Sequence, residues 1–212
     1  LIRKTLTAGD LEAIPDGGEV ILPRSSLITP LARDEAARRK IRIRFAEAEE
    51  DIPKPSPKHT VAIGSDHAGF ELKEALKPYL LEWGYGVIDV GTDSTTAVDY
   101  PDFAQAVAEK VSGGEAWRGI VADAAGIGSA IAANKVPGAR AALCYDKASA
   151  RNSREHNDAN VLTLGARMIP VELAREIVFL WLETPFAAGR HQKRIEKITA
   201  MEARWRKDSP KG

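Results

Sequence analysis

From Thr60 onward the spacing of apolar residues switches back and forth between two periods. TVAIGSD (60–66) has the length and residue types of a buried strand. HAGFELKEALKPYLLEWG (67–84) then places apolar residues near i, i+3, i+4 and i+7, the spacing of an amphipathic helix. The alternation continues through the strand GVIDVG (86–91), the helix YPDFAQAVAEKVSGG (100–114), the strand RGIVAD (118–123) and the helix GSAIAANKV (128–136). ARAALCYD (139–146) and ANVLTLGA (159–166) read as strands around a helical DKASARNSREHND (146–158). VELAREIVFLWLET (171–184) and GRHQKRIEKITAMEARWRK (189–207) predict two closing helices. Strands that alternate with helices predict an α/β domain with a five-stranded parallel sheet covered on both faces.

The first fifty residues follow a different pattern. GGEVILP (17–23) predicts a short strand, and IRIRFAEA (41–48) alternates apolar and charged residues as a half-buried strand does. Between them Thr29-Pro30 opens a helix, with Thr29 as N-cap and Pro30 at the first helical position. Residues 20–22 and 41–45 are expected to form a small sheet under the 30–39 helix, a core too small to be stable alone. DIPKPSPKH (51–59) carries three prolines and breaks both patterns. The predicted organisation is a small α+β extension over 1–50, a linker over 51–59 and a main domain over 60–212, without internal repeats.

Composition narrows the function classes. Thirty acids balance thirty bases, so no basic surplus points to nucleic acid. No apolar run approaches the roughly 18 residues of a membrane helix. The single cysteine, Cys144, rules out an intramolecular disulfide and fits a reducing cytoplasm. It lies in an apolar run and reads as core. No Cys/His cluster has zinc spacing, and no structural metal is expected.

Binding sites in open parallel sheets lie outside the carboxyl ends of the strands. Asp66 and His67 end the first strand of the main domain, and Asp123 ends the third. His156 and Asn157 precede the fifth, Arg167 follows it, and Gly189, Arg190, His191 and Arg194 open the last helix. These residues are expected to gather at one edge of the sheet. Each also has a plainer reading. Asp66 caps the next helix, Asn157 belongs to a turn, Arg167 is a surface charge, and Arg190, His191 and Arg194 form either a solvated helix face or a phosphate clamp. Gly126-Ile127-Gly128 follows Asp123, where a strand turns into a helix. Such turns commonly bind anions, yet this one lacks the full spacing of a dinucleotide fingerprint or a Walker loop.

Five segments carry a resemblance: GSDHAGFELK, DVGT followed by DYPDFA, GIGSAIAANKVPGARAALC, SARNSREHNDANVLTLGAR and GRHQKRIEKI. In these, residues 60–205 resemble type B ribose-5-phosphate isomerase, grouped with the galactose-6-phosphate isomerase subunits. The resemblance implies a Rossmann-like fold, a homodimer often paired into a homotetramer, and active sites between subunits. It also implies transfer of a carbonyl between C1 and C2 of a sugar phosphate without cofactor or metal. By position, His156 would assist ring opening, and Asp66 would hold substrate hydroxyls or help in that step. Asn157 and the amides near Gly126 and Gly128 would stabilise the enediolate. His67, Arg167, Arg190 and Arg194 would hold the phosphate, some of them from a neighbouring subunit, with Ser129 among the substrate-binding residues. The chemistry agrees, because such isomerisation needs a base to move a proton and donors where negative charge develops.

The chain departs from that family at the base. The segment that often reads CGTGIG is here DAAGIG, so Asp123 replaces the usual cysteine and Ala125 the expected small hydroxyl residue. Another branch uses a glutamate where this chain has Ser129. Three readings of Asp123 stay open: a carboxylate base, a holder of hydroxyls on a different sugar phosphate, or the mark of a non-catalytic binding protein. A carboxylate is a competent base for this type of reaction.

The stretch GGEVILPRSSLITPLARDEAARRKIRIRF (17–45) resembles N-terminal segments of ethanolamine- and diol-utilisation proteins associated with bacterial microcompartments. That likeness implies docking to shell or cargo proteins, with a location inside such a compartment. The alternative is an extension that packs on the main domain and strengthens the oligomer.

Overall fold

The computed structural model describes residues 5–12, 14–22, 26–45 and 59–208, and the chain divides into two compact units, Leu1–Ser56 and Pro57–Gly212. Residues 51–58 of the expected linker lie outside the described residues.

The first unit contains strands β1 (Thr5–Leu6), β2 (Glu19–Leu22), β3 (Leu27–Ile28) and β4 (Arg42–Phe45), with helix α1 (Pro30–Arg38) before β4. Thr29 caps α1 as expected: its hydroxyl accepts from the Ala32 amide at 3.2 Å. The expected pairing of 20–22 with 41–45 is the parallel ladder β2–β4, with Val20 opposite Ile43. A second parallel pair joins β1 to β3. A 3-10 turn at Gly9–Leu11 lies between β1 and β2, as α1 lies between β3 and β4, so both halves run strand, helix, strand and pair like with like. The spacing of apolar residues announces no repeat here, and the likeness lies in the strand pairing. Leu6, Leu11, Leu22, Ala32, Ala36 and Ile41 form a separate core for this unit.

The second unit is the predicted α/β domain. Its elements are β5 (Thr60–Ser65), α2 (Phe70–Glu82), β6 (Gly86–Asp89), α3 (Tyr100–Ser112), β7 (Arg118–Asp123), α4 (Ile127–Ala133) and β8 (Ala141–Leu143), then α5 (Lys147–Asn157), β9 (Val161–Gly165), α6 (Val171–Glu183) and α7 (Gln192–Asp208). The five strands pair in parallel in the order β6-β5-β7-β9-β8, a Rossmann-like sheet. Alternate side chains serve opposite faces, since successive strand residues point to opposite sides. Val61, Ile63, Ile120, Leu162 and Leu164 pack under α2, α5 and α6 with Leu76, Ile177 and Trp181. Ala62, Val121 and Val161 pack under α3 and α4 with Ala104, Val107 and Ala133. Cys144 is buried in the first of these clusters, and burial pushes its thiol pKa up, which suits core and not a nucleophile.

Local signals set the ends of the helices. Asp146 caps α5 by accepting from the Ser149 amide at 2.7 Å, and α6 begins directly after Pro170. Three boundaries differ from expectation. Helix α4 starts at Ile127, directly after the turn glycine. The last helix starts at Gln192, and Gly189–His191 forms a separate 3-10 turn before it. Strand β8 keeps only Ala141–Leu143, as an edge strand with one neighbour. Among the described residues no helix is long and apolar enough to cross a membrane.

Candidate active site

The chain leaves β5 toward β6 on one side of the sheet and returns through β7 on the other. The carboxyl ends of β5 and β7 therefore flank the topological switch point, where open α/β sheets bind ligands. Asp66 stands at the end of β5 and Asp123 at the end of β7.

Both acids are buried and both are held by main-chain amides. The Asp66 amide donates to the Ala122 carbonyl at 3.2 Å, and its Oδ1 accepts from the amides of Ala68 and Gly69 at 2.9 Å each. Asp66 thus caps the turn into α2. Gly69 lets that turn press on β7: a Cβ there would lie 2.1 Å from the Ala122 carbonyl oxygen. His67 follows, with Nδ1 3.2 Å from the Val98 carbonyl.

Asp123 is held more completely. Its Oδ1 accepts from the Ala125 amide at 2.7 Å and from the Gly126 amide. Its Oδ2 accepts from the Ser129 amide at 3.1 Å and from the Ser129 hydroxyl. The turn closes because Gly126 adopts φ +79°, a left-handed conformation that glycine takes without strain. An acid stands before an anion-binding turn because its own carboxylate fills that turn.

Two further groups complete this edge. The Arg167 amide donates to the Ala124 carbonyl at 3.0 Å, which places Arg167 beside the turn with its side chain exposed. A cleft of about 350 Å³ opens between His67, Ala68, Glu71, Thr95 and Arg167. Tyr100, which the sequence reading missed, begins α3 and packs against Gly128; a Cβ there would lie 2.5 Å from its Cζ. The signal available in sequence was an aromatic residue directly before Pro101, in the first turn of a helix.

The remaining predicted residues do not join this group. Helix α5 runs back along the sheet, so its last residues, His156 and Asn157, emerge at the amino end of β9. There the Asn160 carbonyl accepts from Gly119, at the start of β7. The expectation that all site residues gather at one edge is corrected: a residue just before a parallel strand lies at the opposite edge. The separation is the length of a five-residue strand, roughly 16 Å.

At that amino edge a cationic cluster forms. The rings of His156 and His191 stack with centroids 4.2 Å apart. Arg190 Nε donates to His191 Nε2 at 3.4 Å, and Arg194 Nη1 lies 3.4 Å from His191 Nδ1. Burial of His191, together with the charges of His156, Arg190 and Arg194, lowers its pKa from the ordinary value. Arg190 and Arg194 are exposed residues. Two buried arginines hold the segment in place. Arg118 donates to the carbonyls of Trp181, Leu182 and Thr184, and Arg154 to those of Thr184 and Ala159 and to Asp158 Oδ1. Burial pushes Arg118 down to about 9, still protonated at neutral pH. A larger groove, about 640 Å³, runs along α7 and reaches Asn157. Among the described residues no three His, Cys, Asp or Glu side chains converge as metal ligands would.

The sheet is of the kind found in solved ribose-5-phosphate isomerase B structures, and the chain is an α/β enzyme of the sugar-phosphate isomerase class. Residues 61–198 match the Ribose/Galactose Isomerase family, and the chain belongs to it. It is 49% identical over 144 residues to ribose-5-phosphate isomerase B of Escherichia coli, covering 68% of this chain and 97% of that one. It is 43% identical over 140 residues to D-erythrulose-4-phosphate isomerase of Pectobacterium atrosepticum, covering 66% and 92%. Among solved structures, ribose-5-phosphate isomerase B of Clostridium thermocellum superposes with a TM-score of 0.68 at 51% identity, over 69% of this chain and 99% of that one. The Mycoplasma genitalium enzyme with bound ribulose-5-phosphate gives 0.66 at 37% identity, over 72% and 99%.

Proposed function

We propose that the chain interconverts ribose 5-phosphate and ribulose 5-phosphate through an enediolate, with Asp123 as the base. The observation that carries this reading is the buried carboxylate of Asp123 at the switch point, in the place where relatives of this type usually have a cysteine. Two relatives named for ribose 5-phosphate, at about half identity, support the substrate. Asp66 holds sugar hydroxyls or assists ring opening, and His67 and Arg167 bind phosphate beside the 350 Å³ cleft. Tyr100 covers the sugar from the α3 side. His156 acts in ring opening, Asn157 supports the enediolate, and Arg190 and Arg194 clamp phosphate. The two groups sit at opposite edges of one sheet, so each active site takes its amino-edge half from a neighbouring subunit in a homodimer or tetramer. The relative that acts on D-erythrulose 4-phosphate favours a second reading, isomerisation of another sugar phosphate at the same site.

The test is conversion of ribose 5-phosphate by the purified protein beside Asp123→Asn and Asp123→Cys. A base contributes about 10²- to 10⁴-fold, so the asparagine variant should lose that much kcat while inorganic phosphate still inhibits. The cysteine variant should keep turnover. A wild-type oligomer that binds the sugar phosphate without converting it would sink the substrate assignment and send the search to other sugar phosphates and to non-catalytic binding.

The N-terminal unit has its own core and exposes Leu27, Leu31 and Phe45. These features support docking to microcompartment shell or cargo proteins. Deletion of residues 1–50 should then leave kcat within about twofold, since the site residues all lie in the second unit. Loss of the oligomer on deletion would assign the unit to assembly instead.

A further inference from the structure

The Asp123 carboxylate has about four lone-pair sites, and four donors reach it. Three are main-chain amides, which can only donate and cannot turn away without unfolding the turn. Two of these close Oδ1. The third shares Oδ2 with the Ser129 hydroxyl, the one donor of the four that rotates. Oδ2 is therefore the oxygen that can open toward a substrate. Ser129 has no solvent exposure, so no water stands in for its hydroxyl.

We propose that Ser129 is a positioning residue whose hydroxyl follows Asp123 through both protonation states of the reaction. The inference rests on the reading of Asp123 as the base. In the resting state the hydroxyl donates to the carboxylate. During the first transfer Oδ2 takes the proton from C2. The C2–H electron pair becomes the C1=C2 bond, and the C1=O π pair passes to O1. Oδ2 now carries a hydrogen, and the Ser129 oxygen accepts from it, a reversal that no amide can make. The proton then leaves Oδ2 for C1, the O2–H proton passes to O1, and the carbonyl stands at C2. The Ser129 hydroxyl returns to donating. This role differs from substrate binding, because Ser129 acts only through Asp123.

The test is steady-state turnover of ribose 5-phosphate by Ser129→Ala, Ser129→Cys, Asp123→Asn and the Asp123→Asn/Ser129→Ala double variant, each checked by its melting curve and by inhibition with inorganic phosphate. Misplacement of a reacting group costs up to about 100-fold. Ser129→Ala is expected to lose on the order of ten- to a hundred-fold in kcat, with KM and phosphate inhibition within about twofold. Ser129→Cys, a weak donor and acceptor of similar size, falls between. In the double variant the alanine adds less than about twofold to the asparagine loss, because residues that act as one unit are not additive. Wild-type kcat in Ser129→Ala, a rise in KM and phosphate inhibition as large as the loss in kcat, or full additivity in the double variant overturns the role of Ser129 alone. Wild-type turnover in Asp123→Asn overturns both this role and the base on which it rests.

Discussion

The two edges of the five-stranded sheet solve opposite electrostatic problems. At the carboxyl edge, Asp66 and Asp123 are buried acids, and main-chain amides of their own turns satisfy them. At the amino edge, Arg118 and Arg154 are buried bases, and main-chain carbonyls at the ends of α5 and α6 satisfy them. Each edge uses the backbone groups that helices leave unpaired there. The difference lies in what remains outward. At the first edge Tyr100 is exposed beside the two buried carboxylates. At the second, Arg190 and Arg194 are exposed beside the stacked rings of His156 and the buried His191. One chain holds the acid pair and the cationic cluster a strand length apart.

The sharpest way to break this comparison is at the acid. If Asp123 is the base, as proposed, Asp123→Asn removes the proton acceptor and leaves the amino edge untouched, so kcat should fall about 10²- to 10⁴-fold while phosphate inhibition persists. The next effect tests whether the edges meet across chains. Asp123→Asn co-expressed with an Arg190→Ala/Arg194→Ala variant should recover about a quarter of wild-type activity in a statistical mixture of dimers, since half the dimers are hybrids with one intact site in two. Purified hybrids with no recovery would show that each chain completes its own site.

The smallest expected effect is a pH dependence of stability at the amino edge. Burial and neighbouring cations hold the folded His191 below its ordinary pKa of 6.5. The unfolded chain then binds more protons as pH falls below 6.5, and the stability present above that value is lost on acidification. His191→Gln should flatten the fall in melting temperature between pH 6.5 and about pH 5. An unchanged slope would assign the acid sensitivity to other groups.

Much of this was legible in sequence, for identifiable reasons. The sheet is covered on both faces, so its strands are continuous apolar runs and its helices amphipathic, and period alone separates them. Thr29-Pro30 announced its cap by residue type, whereas the Asp146 cap was not read from sequence. The Asp66 cap was also readable, because the amides that donate to it lie two and three residues on. Strand direction was harder. His156 and Asn157 were placed by their nearness to a strand in sequence, and only the return path of α5 shows that they face the far edge. Tyr100 was missed because its contact with Gly128 spans two elements far apart in the chain. The closed turn around Asp123 depends on one left-handed glycine and on a serine six residues away, a geometry that no periodicity announces.

That closed turn also constrains how the site could have changed over time. Ala125 and Gly126 lend amides, Gly126 supplies the bend, and Ser129 supplies the hydroxyl, so an aspartate at position 123 makes sense only in their company. The four positions form one hydrogen-bonded unit, so a change at Ala125, Gly126 or Ser129 reaches the carboxylate directly.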